Sequence, residues 1–179
     1  MPSHLTPGGP QPAELPIRLE PLPEIDALAL VRERAKAQRL GWALPETASA
    51  EARAEIHTRI GRAASWLYVA EDGAELAGFV LGYPSAGEET IETDDRIEYL
   101  ALLMVEPVYW GRGIGRQLLR AALAHAVDLG RRQLTLWTAE DNPYARGLYE
   151  SEDYQLTGRQ RISPRHGPLV EYRLDLPSN

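Results

Sequence analysis

Hydrophobic positions near the start of the chain change from strand-like to helix-like spacing. Residues 17–19 predict a short strand, closed by Pro21 and Pro23. Helical spacing then begins at Ile25 and predicts a first helix. A second helix is expected from an N-cap at Ser49 to about residue 64, with its apolar positions on one face.

The middle of the chain predicts a hairpin followed by a long central strand. Residues 66–70 and 76–82 read as antiparallel strands joined by a turn at 71–74. A polar, acidic loop is expected over 84–95. Residues 96–105 are nearly continuous in apolar side chains, which is typical of a strand buried on both faces.

A strand, a helix and another strand follow in an order that predicts a parallel step. The helix over 113–129 has a clear apolar stripe, and residues 133–138 form the next strand. A short helix at 143–150 and two strands, 154–161 and 170–175, complete the chain. The fold class is therefore α/β (α+β in some schemes), with a mixed, mostly antiparallel central sheet, one parallel βαβ step and helices on both faces.

Composition bounds the organisation and excludes several classes of function. Of the 179 residues, we assign 1–16 to a disordered Pro/Gly-rich tail and 17–179 to a single domain. The chain has no cysteine, which excludes disulfides, thiolate metal sites and a cysteine nucleophile. A net charge of −7 argues against nucleic-acid binding, and no apolar stretch predicts a membrane partner. We expect a cytoplasmic protein with no metal.

The stretch 103–116 predicts an anion site at the start of a helix. Gly111, Gly113 and Gly115 lie between a strand and the helix, where backbone N–H groups can approach a ligand closely. The spacing lacks the third glycine of a dinucleotide fingerprint and the G-K-[ST] ending of a nucleotide-triphosphate loop. A phosphate or pyrophosphate is the ligand that this chemistry favours.

Two motifs, in the right order and on the right elements, carry a resemblance to a known family. The first is V-x-P-x-x-x-G-x-G-I-G-R from Val105, and the second, about thirty residues later, is N-x-x-A-x-x-L-Y from Asn142. Over roughly residues 17–176 the chain resembles the GNAT superfamily of acyl-CoA N-acyltransferases. It departs from the family pattern at Trp110, where Gln or Arg is usual, and at Asp153-Tyr154, where Gly-Phe is frequent.

The resemblance implies acetyl-CoA as the acyl-donor substrate and assigns residues to it. A strand bulge would present backbone groups to the pantetheine arm, and the glycine loop would bind the pyrophosphate. The implied cofactor-binding residues are Leu103, Met104, Val105, Gly111, Arg112, Gly113, Ile114, Gly115, Arg116, Asn142 and Tyr149. The two arginines are alternatively solvated surface residues, and Asn142 can also cap the short helix.

The resemblance further implies a general acid and a general base. Tyr149 would protonate the leaving thiolate; the alternative is a core aromatic residue. Glu98 would accept the proton of the amine directly or through water, and Glu140 and Asp141 lie further along the next strand as other carboxylates. A backbone N–H at the bulge near Val105 would stabilise the oxyanion.

The expected reaction is acetyl transfer to a primary amine of an unidentified acceptor, by direct attack in a ternary complex. Two alternatives are a different acyl-CoA donor and an acyl-CoA-binding sensor without efficient turnover. A homodimer is compatible with the resemblance. We expect His125 in the core and His166 beside the acceptor. Five acidic residues indicate either a cationic acceptor or simply a solvated loop: Glu88, Glu89, Glu92, Asp94 and Asp95.

Overall fold

One seven-stranded sheet organises the chain. The structure is a computed structural model that describes residues 14–20, 24–86 and 93–177. The strand order is β1-β2-β3-β4-β5-β7-β6. The elements, in chain order, are β1 (Ile17–Leu19), α1 (Ile25–Leu40), α2 (Ala50–Ile60), β2 (Trp66–Asp72), β3 (Glu75–Ala86), β4 (Thr93–Val105), α3 (Ile114–Asp128), β5 (Gln133–Ala139), α4 (Pro143–Ser151), β6 (Gln155–Ser163) and β7 (Gly167–Asp175).

Pairing in the sheet follows the predicted fold class. Neighbouring strands are antiparallel except β4 and β5, which are parallel and are joined through α3. This is the βαβ step that the sequence predicts, and the fold class is confirmed.

The two faces of the sheet bury two separate cores. Alternate residues of β3 point to opposite faces, as period-two spacing requires. Phe79 and Leu81 pack in the cluster formed with α1 and α2, whereas Val80 packs in the cluster formed with α3 and Tyr149. Helices therefore cover both faces.

Several element boundaries differ from the predictions. The N-cap of α2 is Ser49, as expected, but the helix ends at Ile60 because Gly61 follows it. β3 and β4 extend into the expected loop at 84–95, so Asp94 and Asp95 belong to β4, while Glu88, Glu89 and Glu92 lie outside the described residues. The predicted tail also lies largely outside them.

A bulge in β4 lies nearer to the start of the strand than the prediction placed it. Leu81 pairs with Leu102 and Gly82 pairs with Leu100, so Ala101 is the extra residue on β4. The bulge was expected near Leu103–Val105. That prediction is wrong, because the extra residue lies two positions before Leu103. A bulge leaves its extra residue unpaired and increases the local twist.

β4 and β5 separate just where this bulge occurs. Their parallel pairing runs only from Ile97 with Gln133 to Leu100 with Leu136. Beyond it, β4 stays paired with β3 while its other edge opens. The expectation of burial on both faces fails for this half of the strand, where Leu103–Val105 are only partly buried.

Among the described residues, none of the helices is both long and apolar enough to span a membrane.

Candidate active site

A large cleft opens at the separation of β4 and β5. Its volume is about 1500 Å³. The second half of β4, the glycine loop, α4 and the α1–α2 pair all contribute to its lining. Nearly all the sequence-predicted ligand-binding residues meet here, and the exceptions are informative.

The glycine loop has the backbone conformation that an anion site needs. Gly111 and Gly113 have φ angles of 76° and 83°, in the left-handed region that glycine adopts without a steric cost. The first backbone bond of α3 runs from the Gln117 N–H to the Gly113 carbonyl, at 3.0 Å. In the described chain, the preceding N–H groups of Ile114, Gly115 and Arg116 have no backbone acceptor. Three donors at the positive end of a helix dipole thus face the cleft.

The two loop arginines differ in position. Arg116 lines the cleft, but its Nε lies 2.7 Å from Oε1 of Glu152 in an ion pair. The guanidinium of Arg112 lies 5.2 Å from the centre of the Tyr109 ring, and Arg112 is not part of the cleft lining. The structure therefore brings only Arg116 to the site.

The open edge of β4 exposes backbone groups of alternate residues. The Glu106 N–H donates to the Ala77 carbonyl of β3 at 2.9 Å, so even-numbered residues here direct their backbone groups to β3. Val105 faces the other way, and its carbonyl accepts a bond from Trp110 Nε1 at 2.8 Å. Leu103 presents its N–H and C=O at the same open edge. Met104 also lines the cleft, but by this alternation its backbone polar groups are directed to β3.

Asn142 lies at the start of α4 and also lines the cleft. Its Oδ1 accepts a bond from the Ala145 N–H at 3.2 Å, which makes it the N-cap of that helix. The capping role that the sequence allows is thus present in the structure.

Tyr149 lies at the base of the cleft, packed between two other tyrosines. Its ring centre is 5.9 Å from those of both Tyr154 and Tyr172. Burial, together with the nearby Tyr99, raises the pKa of Tyr149, so its hydroxyl stays protonated at neutral pH. Tyr149 lines the cleft, and none of the described side chains forms a hydrogen bond with its hydroxyl.

Glu98 does not lie in the cleft. Its side chain is fully buried; Oε1 accepts a bond from Trp66 Nε1 at 2.5 Å and Oε2 pairs with Arg131 Nε at 2.8 Å. Burial raises the pKa of this carboxyl, and the bonds from Trp66 and Arg131 oppose that rise. A carboxylate enclosed in this way, on the α3 side of the sheet, does not fit a base that takes a proton from an acceptor in the cleft.

The other titratable candidates divide between cleft and surface. Glu140 and Asp141 are not part of the lining, and Asp141 pairs with Arg39 at 3.2 Å. His166 lines the cleft; burial and the charges of Arg32, Lys36 and Arg39 lower its pKa, so the ring is neutral at pH 7.

His125 is packed as the sequence predicts. Its ring centre lies 4.8 Å from that of Trp66, and its Nδ1 is 3.2 Å from the hydroxyl of Tyr68. It takes no part in the lining of the cleft.

Sequence reasoning missed the residues that line the acceptor side of the cleft. Tyr83 and Tyr99 are cross-strand partners with ring centres 5.4 Å apart, and the Arg59 Nη1 lies 3.4 Å from the Tyr83 hydroxyl. Arg62 lies over the Tyr83 ring. The spacing of Glu55 and Arg59 is that of an ordinary surface pair, so the sequence carried no signal for this group.

Within residues 14–20, 24–86 and 93–177, no group of three or more His, Asp or Glu side chains could hold a metal ion.

The family model and the similar proteins all point to acetyltransferases. Residues 28–153 match the model of the acetyltransferase (GNAT) family. The chain is 35% identical over 104 residues to the uncharacterized N-acetyltransferase YhfO of Bacillus subtilis, covering 58% of this chain and 68% of that protein. It is also 35% identical over 112 residues to the probable N-acetyltransferase Rv2775 of Mycobacterium tuberculosis, covering 60% and 59%.

Solved structures share the fold at lower identity. An acetyltransferase of Bacillus subtilis in complex with CoA superposes with a TM-score of 0.63 at 18% identity, covering 92% of this chain and 100% of that one. At this identity the likeness concerns the fold alone. The family match extends over most of the chain and includes the glycine loop, Asn142 and Tyr149, so the chain belongs to the GNAT family of acetyltransferases and is an acyltransferase.

Proposed function

We propose that the protein transfers an acetyl group from acetyl-CoA to a primary amine, which attacks the thioester directly in a ternary complex. One observation carries this proposal. The gap between β4 and β5 has three N–H groups without a backbone acceptor at the start of α3, and Tyr149 lines the same cleft. An extended ligand with a diphosphate at one end and a reactive thioester at the other fits that arrangement.

The coenzyme would lie along the open edge of β4. Its diphosphate would accept bonds from the N–H groups at the start of α3. The amides of the pantetheine arm would pair with the backbone groups of Leu103 and with the N–H of Val105, whose carbonyl already accepts the Trp110 bond, as an added strand would. Asn142 would meet the same arm from α4.

The bulge at Ala101 is the candidate for oxyanion stabilisation. A bulged residue is left out of the strand ladder, so its N–H is available to a ligand. We therefore propose the N–H of Ala101, in place of a backbone N–H near Val105, as the donor that stabilises the oxyanion. A donor fixed in the backbone needs no reorganisation when negative charge develops on the thioester oxygen.

Tyr149 would donate the proton to the leaving thiolate. Its raised pKa keeps the hydroxyl protonated at neutral pH. The same rise makes transfer to the coenzyme thiolate, whose ordinary pKa is about 8.5, uphill, so the proton would move only as negative charge develops on the leaving sulfur. The amine must lose a proton as well. Since Glu98 lies outside the cleft, that proton would leave through water or to the neutral ring of His166.

The replacement Tyr149→Phe tests the proposed acid, and Tyr154→Phe is its matched control. Both hydroxyls are on buried tyrosines, but Tyr149 lines the cleft whereas Tyr154 is not part of its lining. We expect Tyr149→Phe to lower kcat by about 100-fold with unchanged affinity for CoA, and Tyr154→Phe to leave both unchanged. Turnover of Tyr149→Phe equal to the wild type would remove the acid role.

The wider proposal has its own test. Calorimetry measures CoA binding, and a thiol-release assay over a panel of amines measures turnover with acetyl-CoA and with longer acyl donors. Tight binding without turnover on any amine would favour a sensor module. We retain a cytoplasmic location, from the absence of cysteine, and a homodimer as predictions that fractionation and light scattering would check.

A further inference from the structure

The α1–α2 side of the cleft carries an excess of positive charge. Six basic side chains of the described chain line it, the last of them from the adjoining loop between β6 and β7, and we call them the cationic wall: Arg32, Lys36, Arg39, Arg59, Arg62 and Arg165. The carboxylates that line the same side are Glu51 and Glu55. Among the described residues, two negative charges therefore face six positive ones, in a chain whose overall charge is −7.

Both carboxylate oxygens of Glu55 are already paired with arginines of the cationic wall. One of its oxygens lies 2.5 Å from Nη2 of Arg32 and 3.5 Å from Nη1 of Arg165, and the other accepts bonds from Arg59. Burial would raise the pKa of this carboxyl, but the charges of Arg32 and Arg59 hold it below its usual range. Glu55 is ionised and has no capacity left for further cations.

Several donors of the cationic wall have no acceptor. The guanidinium of Arg62 lies 4.6 Å from the centre of the Tyr83 ring and has no carboxylate partner in the described chain. Arg32 is more than nine-tenths buried, lines the cleft, and has an Nε without any hydrogen-bond partner. Buried donors of this kind are normally satisfied, and a bound anion is one way to satisfy them.

The cationic wall is continuous with the proposed reaction centre. Arg59 and Arg62 both contact Tyr83, whose ring packs against that of Tyr99. Tyr99 and Tyr149 both line the same cleft. An acceptor whose amine reaches the thioester beside Tyr149 would have its other end near the two arginines.

We propose that the acceptor is a small amine that also carries a carboxylate, an amino-acid-like molecule whose anionic group is bound by Arg59 and Arg62. A guanidinium fork matches a carboxylate with two parallel bonds. A second positive charge on the acceptor would be repelled by the same wall, so polyamines and similar cations are disfavoured. This inference rests on the proposed function of the cleft, but it makes a separate claim about what the cleft binds.

The first experiment compares amino acids with their own amides. Phenylalanine, methionine and aspartate are each paired with the corresponding α-amide, which has nearly the same size but no α-carboxylate. Binding is measured by calorimetry in the presence of CoA, and turnover is measured by thiol release from acetyl-CoA. The amine of the amide is less basic than that of the amino acid, so a larger fraction of it is unprotonated at pH 7. This difference favours turnover of the amide, so faster turnover of the acid cannot result from it.

The second experiment removes one donor. Arg62→Gln is compared with Arg53→Gln, an exposed arginine of the same helical region that pairs with Asp26 outside this cleft. We expect kcat/KM for the best amino acid to fall about 10- to 100-fold in Arg62→Gln, with no change for its amide and none in Arg53→Gln.

The outcomes separate this inference from the proposed function. Turnover of the amides equal to or better than that of the acids would overturn the anionic acceptor and leave acetyl transfer standing. Acid-selective binding without turnover would support the anion site and count against the enzyme. If no acid binds in the presence of CoA, or if Arg62→Gln affects acid and amide equally, the proposal is wrong.

Discussion

The replacement Glu98→Gln distinguishes a structural carboxylate from a catalytic one. Glutamine keeps the size of the side chain and an oxygen that can accept the Trp66 Nε1 bond. It removes the negative charge opposite Arg131 and places an amide donor or a neutral oxygen there instead. The structure therefore predicts a loss of stability with little effect on the reaction.

The size of that loss follows from the surroundings of the pair. Removing one partner of a fully buried ion pair costs about 3–5 kcal/mol, and losing one charged hydrogen bond costs about 1.5–3 kcal/mol. Arg131 retains 15% side-chain exposure and also donates to the Asp95 carbonyl, so water and backbone can partly replace Glu98. We expect the lower value, about 2 kcal/mol, which corresponds to about 4–8 °C in Tm for a domain of this size.

Urea unfolding and steady-state kinetics on the same preparation provide the assay. Glu71→Gln is the matched control because Glu71 also pairs with an arginine, Arg18, but at the surface. An exposed pair contributes little, so this control should leave the unfolding midpoint unchanged. Both variants should keep kcat/KM within about threefold of the wild type when assayed well below their Tm, since a lost general base would cost about 100-fold or more.

The opposite pattern would refute this reasoning. A Glu98→Gln protein with the wild-type unfolding midpoint and kcat reduced about 100-fold would assign the base to Glu98, whatever its position in this structure. A matching change in the pH dependence of kcat/KM, through the raised pKa of Glu98, would strengthen that conclusion.

Two further predictions concern the glycine loop and the packed histidine. Gly113→Ala and Gly130→Ala both force alanine into a left-handed conformation (φ of 83° and 67°), at about 1–2 kcal/mol each. Only the first should weaken CoA binding, by about tenfold in calorimetry, and equal weakening would contradict the anion site. Burial and the charge of Arg131 hold the pKa of His125 below its usual 6.5, so the unfolded chain binds the extra proton and stability is lost as pH falls below about 6.5. His125→Gln should flatten the change in urea midpoint between pH 7 and 5.5, and an unchanged slope would assign it to other groups.

Local features of the sequence predicted the parts of the site that depend on local conformation. Gly113 precedes α3 because glycine alone adopts its φ freely, and Asn142 precedes α4 because its short amide can cap a helix. Each of these residues acts on backbone only a few positions away in the sequence. The start of each helix could therefore be predicted from the sequence alone, without knowledge of the tertiary fold.

The sequence did not show that Glu98 lies outside the cleft, because a bulge changes which face each residue of β4 occupies. Strict alternation from Glu98 would place Leu100, Leu102 and Met104 on one face. The extra residue at Ala101 breaks the alternation, so Leu100 packs with α3 while Leu102 and Met104 pack with α1 and α2. Nothing in an apolar run of this kind indicates where its register shifts, and a shift by one residue exchanges the two faces.

The charge of the cleft shows a similar limit on what composition can predict. The chain is acidic overall, and its 84–95 loop indicated either a cationic acceptor or simply a solvated loop, yet the described wall of the cleft is basic. The two facts are compatible because an exposed charge more than about 8–10 Å away is largely screened by salt, whereas neighbouring charges in a concave site are not. A ligand in this cleft responds chiefly to Arg59, Arg62 and their neighbours. The sign of a binding site is thus set by which helix face the fold turns toward it, and the net charge of the chain carries little information about it.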